Sequence, residues 1–84
     1  ASIGAALAAT ENARSALALA NERAALSSQA HALIAKSYRL GESDLPTRLR
    51  FEADKFDADL ALARAIADAQ RAVSRLNQAY GLLP

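Results

Sequence analysis

Apolar residues recur at seven-residue intervals along both halves of the chain. In the first half the interval is marked by Leu19, Leu26, Leu33 and Leu40, with Ala16 and Ala30 at the intervening core position. In the second half one apolar row advances in alternating steps of four and three: Leu62, Ile66, Ala69, Val73, Leu76, Tyr80 and Leu83. This is the a/d spacing of a left-handed coiled coil, so these two rows are predicted to form its core.

Each half also carries apolar residues outside these rows. In the second half they form a competing row: Leu49, Ala53, Phe56, Leu60, Ala63 and Ala67. In the first half they are Leu7, Leu17, Ala18, Ala25, Ala32 and Ala35. A two-helix hairpin needs only one apolar row per helix. The additional residues therefore predict neighbours on both sides of each helix, as in a wall of helices, or a four-helix bundle made by two copies.

A single cluster of turn-forming residues separates the two halves, at positions 40–46. Gly41 suits the position just after the last turn of a helix. Either Ser43 or Asp44 can cap the helix that follows, and Pro46 suits a first helical turn. The chain is therefore expected to reverse its direction here.

The segments on either side of the turn are long and almost free of helix breakers. Residues 3–40 contain one glycine and no proline, and residues 47–80 contain neither. Two long helices joined by a short turn pack in antiparallel fashion. We therefore predict an all-α fold, a long antiparallel two-helix coiled-coil hairpin that packs with further helices. Its single domain covers 1–84, with a helix over about 3–40, a tip at 41–45 and a helix over about 46–80.

Small side chains dominate the apolar content. The chain has 84 residues, of which 23 are Ala and 13 are Leu, and it lacks Trp, Met and Cys. Alanine has the highest helix propensity but buries little area, and so small a domain has only a few kcal/mol to gain from its core. We therefore predict that the isolated chain self-associates, most simply as an antiparallel four-helix arrangement.

Charge and composition exclude several classes of protein. Ten Lys and Arg against nine Asp and Glu give a formal charge of +1, whereas nucleic-acid-binding domains usually carry a basic patch. The absence of Cys excludes disulfides and thiolate metal sites. No stretch of about 18 residues is free of charge, so no transmembrane segment is predicted, and no secretory signal is expected in this chain.

Candidate catalytic chemistry is sparse. His31 is the single histidine, and the residues three and four positions away from it carry no carboxylate. The acidic residues of the second half alternate with Lys and Arg, which predicts a solvated face with ion pairs such as Asp68 with Arg64 or Arg71. No nucleophile elbow, phosphate-binding loop, dinucleotide fingerprint or zinc spacing is present. We predict no enzyme activity, no catalytic, cofactor-binding or metal-ligating residue, and no cofactor.

Two segments of the chain resemble a known family. They are Ser37-Tyr38-Arg39-Leu40-Gly41-Glu42-Ser43-Asp44-Leu45 and Arg75-Leu76-Asn77-Gln78-Ala79-Tyr80-Gly81, joined by an Ala-rich helix. Together they resemble the C-terminal periplasmic hairpin of TolC-like outer membrane efflux factors, and most of all the branch serving heavy-metal efflux. Over residues 1–36 the similarity is limited to helical length and Ala-rich packing.

The resemblance implies a role in export. Members of this family form homotrimers with a membrane β-barrel and a long periplasmic tunnel of helical hairpins, whose tips meet a periplasmic adaptor (membrane fusion) protein coupled to an inner-membrane pump. The residues that would occupy the docking tip here are Leu40, Gly41, Glu42, Ser43, Asp44 and Leu45. The chain has no strands for a barrel and no second hairpin, so it is expected to be a fragment of a larger outer membrane protein, lying in the periplasm of a Gram-negative bacterium.

Two other interpretations remain open at the sequence level. The hairpin of a periplasmic adaptor is also long, antiparallel and rich in Ala and Leu. A stand-alone coiled-coil interaction module, unrelated to efflux, would show the same periodicity. The tip sequence and the terminal Leu76-Asn77-Gln78-Ala79-Tyr80-Gly81 segment favour the outer membrane partner over the adaptor.

Overall fold

A computed structural model describes residues 2–81, and over that range the chain is an all-α hairpin. Helix α1 spans Ile3–Arg39 and helix α2 spans Leu45–Ala79, and the two pack against each other. The hairpin measures 59 × 18 × 15 Å, with a radius of gyration of 18.4 Å. A globular domain of this length would have a radius of gyration of about 12 Å, so the molecule is a rod. The predicted fold class is confirmed.

Helix α1 ends in a hydrogen-bonded Schellman motif. The N–H of Glu42 donates to the carbonyl of Ser37 (2.8 Å), and the N–H of Gly41 donates to the carbonyl of Tyr38 (3.0 Å). Gly41 has a φ of 76°, a left-handed conformation that glycine adopts without a side-chain clash. The glycine therefore stops the helix after Arg39 and turns the chain back.

Helix α2 begins at an aspartate cap. Of the two candidate caps, Asp44 is the one used: its Oδ1 accepts a hydrogen bond from the N–H of Thr47 (2.9 Å). The Oγ of Ser43 instead donates to the carbonyl of Ile34, at 3.5 Å. Pro46 lies in the first turn, where its missing N–H costs nothing.

The most deeply buried residues on the face that α1 turns toward α2 are small, and the predicted leucines are not among them. The most buried residues of α1 are Thr10, Ala24 and Ala35. The leucine row, which we define as Leu19, Leu26, Leu33 and Leu40, is 62–69% exposed. The prediction that this row forms the hairpin core is therefore wrong.

The face that α2 turns toward α1 agrees in part with the predicted row. Leu62, Ala69 and Leu76 are half-buried, as that row requires, whereas Ile66, Val73 and Tyr80 are exposed. Their places are taken by residues one position earlier, Ala65, Ala72 and Ala79. Leu83, the last residue of the predicted row, lies outside the described residues, as does the predicted stop at 82–84. The competing row stays largely outside, with Leu49, Phe56 and Leu60 exposed.

One hydrogen bond across the hairpin shows how the two helices are aligned. The buried Thr10 hydroxyl donates to the carbonyl of Ala6 in its own helix (2.9 Å) and to that of Ala72 in α2 (3.4 Å). Moving two heptads along each helix from this pair, from 10 to 24 and from 72 to 58, brings Ala24 opposite Ala58. Ala58 is 0% exposed, and Ala24 is 8% exposed. Small side chains at these levels let the two helices approach closely, and this accounts for the inward position of alanine.

Candidate functional site at the hairpin tip

The tip presents an exposed apolar pair around a polar turn. Leu40 is the C-cap residue of α1 and is 62% exposed, while Leu45 is the first residue of α2 and is 47% exposed. Gly41 and Glu42 between them are exposed, and so is the capping Asp44. A Cβ built on Gly41 would meet no atom within 4 Å, so the space around this glycine is open. The tip therefore offers apolar and acidic groups at one end of the rod.

The half-buried Ser43 completes the set of six predicted tip residues, of which the first five connect the helices and Leu45 is the first residue of α2. Backbone and side-chain hydrogen bonds connect this turn to the ends of both helices. The hydroxyl of Thr47 and then its backbone N–H hold the pKa of Asp44 below its ordinary value, so the carboxylate stays charged down to lower pH. A negative charge at this position also interacts favourably with the N-terminal dipole of α2.

A cluster of polar side chains connects α1 and α2 in the helical turns next to the tip. The guanidinium carbon of Arg48 lies 4.9 Å from the centre of the Tyr38 ring, which is a cation–π contact between the helices. The same Arg48 donates from Nε to Glu52 (3.1 Å), and Glu52 in turn lies 3.8 Å from His31 Nε2. This chain of four side chains links α1 to α2 within the last turns before the tip.

The sequence did not reveal this cluster. Along α1, His31 has no carboxylate three or four positions away, and the sequence predicts a solvated face for the acidic residues of α2, Glu52 included. The pairing became visible only with the alignment of the two helices, because the partners lie on different elements. The mixed charges of α2 otherwise form ion pairs along the helix, Lys55 with Asp59 and the predicted Asp68 with Arg71.

The exposed apolar rows lie on opposite broad faces of the hairpin. One open groove between the helices has a volume of about 830 Å³, and Ala5 is among its lining residues. Ala5 lies two heptads before Leu19, so it marks the side of α1 on which the leucine row lies. The other groove, of about 460 Å³, is lined by Ile66 and Val73 of α2. It is also lined by Gln70, which lies in the same series as Phe56. Each broad face of the rod therefore carries one of the exposed apolar rows beside a groove that both helices line.

Residues 2–81 contain neither a cluster of metal-ligating side chains nor a helix that could span a membrane. No group of three or more His, Cys, Asp or Glu side chains is placed to hold a metal ion in this range. Neither described helix is long and apolar enough to cross a membrane. The tip and the outward apolar rows are thus the surface features that remain to be explained.

Comparison of the chain with protein-family models, curated proteins and solved structures finds no match. The relation to TolC-like efflux factors therefore stays a prediction that rests on the resemblance of the tip and of the end of α2.

Proposed function

We propose that this hairpin is a periplasmic tunnel segment of a trimeric TolC-like outer membrane efflux factor. Its tip docks to the hairpin of a periplasmic adaptor protein in a tripartite export system. By the same resemblance, the exported substrates are heavy-metal cations, which are cargo and need no resident site in the hairpin.

The observation that carries the proposal is the position of the resembling sequence at the end of the rod. The run from Tyr38 to Leu45 coincides with the reversal between α1 and α2. Leu40 and Leu45 stand exposed on either side of Glu42, and Gly41 leaves room for close approach of another chain. Apolar contact with acceptor groups beside it suits a partner hairpin that presents apolar and basic residues.

The outward apolar rows give a second line of support. A helix in a tunnel wall has neighbours on both sides, so it needs apolar residues beyond those that hold its own hairpin together. Here one broad face carries the leucine row of α1 and the other carries exposed residues of α2 such as Ile66 and Val73. A hairpin that functioned as a monomer would gain no stability from exposing both apolar rows to water.

The proposal is tested by changing the tip in the full-length parent protein. Leu40→Arg and Glu42→Arg place a bulky cation where apolar and acidic contacts are expected, and both side chains are exposed, so folding is spared. We expect heavy-metal resistance to be lost while the trimer still assembles in the outer membrane. Glu11→Arg is the matched control, because it makes the same change at an exposed position near the other end of α1.

The possible outcomes distinguish an efflux factor from an adaptor hairpin and from a stand-alone coiled-coil module. Normal export by both tip variants would contradict docking through the tip. Flanking adaptor-type domains in the parent sequence, in place of strand-rich segments and a second hairpin, would instead identify the hairpin of an adaptor. A parent that forms no outer membrane trimer and supports no export would favour a stand-alone coiled-coil module.

A further inference from the structure

We propose that the leucine row of α1 binds a second copy of this chain, with the two α1 helices antiparallel and crossing at the level of residue 28. The occupant of this face is thus another hairpin of the same sequence, and the product is a four-helix dimer of the isolated chain. This inference is independent of the efflux function, because it concerns the chain free in solution.

The hairpin leaves most of its large apolar side chains in water. The buried residues are four alanines and Thr10, and no large side chain is fully buried within the described range. The members of the leucine row are each about two-thirds exposed. A single hairpin of this size is short of core, so covering eight leucines in a dimer removes the largest exposed aliphatic surface of α1.

The leucine row has its own set of small partners on the same helix. Ala16, Ala30 and Ser37 alternate with the leucines in steps of three and four, so both sets lie on one face of α1. In an antiparallel pair centred on residue 28, the numbers of opposed core residues add to 56. Leu26 then meets Ala30, Leu19 meets Ser37, and Leu40 meets Ala16 of the second copy. Each of these large side chains packs against a small one.

The fourth leucine meets a long side chain in the same alignment. Leu33 comes opposite Arg23 of the second copy, and Arg23 is exposed in the hairpin. The methylene stem of arginine can cover the leucine while the guanidinium extends into solvent. This contact is compatible with the dimer.

The charges beside the row fit the same alignment. Glu22, Gln29 and Lys36 lie on one exposed line of α1, next to the leucine face. Glu22 and Lys36 form no ion pair within residues 2–81. In the antiparallel pair Glu22 lies beside Lys36 of the second copy, twice by symmetry, and Gln29 lies beside its own symmetry mate.

Other alignments lose this match. Sliding one helix by seven residues keeps the leucines on the interface but places Lys36 beside Gln29 in one direction and beside Ser15 in the other. Glu22 then lacks a cationic partner in both cases. The charges therefore select the pairing centred on residue 28 from those that bury the leucines equally well.

Spin labels measure this geometry directly, and the chain has no native Cys to interfere. Single cysteines replace Glu11, Ala18, Ala25 and Ala32, which share one exposed line of α1. For a helix rise of 1.5 Å per residue, the separations of the two labels along the axis are about 51, 30, 9 and 12 Å, in that order. Pulsed EPR distances that decrease steeply to Ala25 and rise again at Ala32 support the proposal. Equal distances at all four sites, a minimum elsewhere, or no dipolar coupling would overturn it.

A charge exchange tests the alignment by a second route. Glu22→Lys alone turns two attractive contacts per dimer into two repulsive ones, so we expect dimerisation to weaken by about tenfold in sedimentation at low salt. Lys36→Glu alone has the same effect. The double variant restores opposite charges and should recover the wild-type dissociation constant. A double variant no tighter than either single one would contradict the pairing.

The apolar contact is tested by a matched pair of exposed residues. Leu26 is 65% exposed on the leucine face, and Phe56 is 68% exposed in the series of the other broad face. Leu26→Gln should shift the chain to the monomer of 8.8 kDa at tens of micromolar, whereas Phe56→Gln should leave the dimer intact. Loss of the dimer in Phe56→Gln with retention in Leu26→Gln would show that the wrong face had been chosen. A wild-type chain that sediments as a folded monomer would refute the proposal outright.

Discussion

Enlarging the most buried residue of the hairpin should separate the helices and destabilise the fold. Ala58 is 0% exposed, and the alignment of the helices brings it opposite Ala24, itself 8% exposed, so Ala58→Leu adds three carbon atoms at the buried contact between the helices. Overpacking of this kind costs about 1–3 kcal/mol. For a domain of this size, each kcal/mol corresponds to about 4–8 °C in Tm, so the melting temperature should fall by roughly 5–20 °C.

The measurement is thermal and urea unfolding followed by far-UV circular dichroism at one fixed protein concentration, because self-association would make stability concentration-dependent. Ala53→Leu is the control: it makes the same change on an exposed face of the same helix and should alter stability by less than about 0.5 kcal/mol. An Ala58→Leu variant as stable as the wild type, or more stable, would refute close packing of the helices through alanine.

Four further outcomes are expected. Thr10→Val removes the hydroxyl that bridges the helices and should cost about 1 kcal/mol in urea unfolding, whereas Thr10→Ser should recover part of it. Gly41→Ala should cost about 1 kcal/mol through backbone strain alone, while Gly4→Ala, inside α1, should be neutral or stabilising. Thr47 lowers the pKa of Asp44 in the folded state, so the charged Asp44 carboxylate stabilises the fold. This stabilisation is fully present above the ordinary carboxylate pKa of about 3.9 and is lost as the pH falls through the lower pKa of the folded state. Asp44→Ala should remove that part of the pH dependence in acid titrations of stability. Micromolar zinc should leave the Tm of the wild type unchanged, and a large rise would reveal a metal site.

The reversal of the chain could be read from local residues because local geometry determines it. A glycine after the last turn, an aspartate before the next helix and a proline in its first turn each act within a few residues. The sequence left Ser43 and Asp44 as alternative caps, and the structure selects Asp44. Such choices depend on the orientation of one side chain, which composition and spacing do not determine.

The choice of the inward face could not be made from periodicity. The series of α1 that faces α2 at this interval is Thr10, Leu17, Ala24, His31 and Tyr38, and it mixes polar with apolar residues, whereas the leucine row is uniformly apolar. The sequence predicts the leucines as the core because they recur every seven residues without a break. The hairpin instead places alanine inside, where Thr10 and Ala58 allow the backbones to approach, and leaves the leucines on a second face. The rule that large apolar residues point inward applies to the complete assembly, and a single hairpin can expose residues that a further helix would cover.

The polar support of the tip was missed for a related reason. His31 and Glu52 are 21 positions apart, and no local motif connects them. Arg48 joins them to Tyr38 only after α1 and α2 are aligned side by side. The tip residues themselves were found because the turn and the family resemblance coincide at the same positions.

The most direct test of the inward alanines is an NMR measurement between methyl groups. In a sample with labelled alanine methyls, the Ala24 and Ala58 methyls should show a strong nuclear Overhauser effect. A mixture of labelled and unlabelled chains assigns that signal to contacts within one hairpin. Strong intramolecular effects from Leu19 to Leu62, which this alignment places at the same level, without the alanine pair, would mean that the leucines form the hairpin core after all.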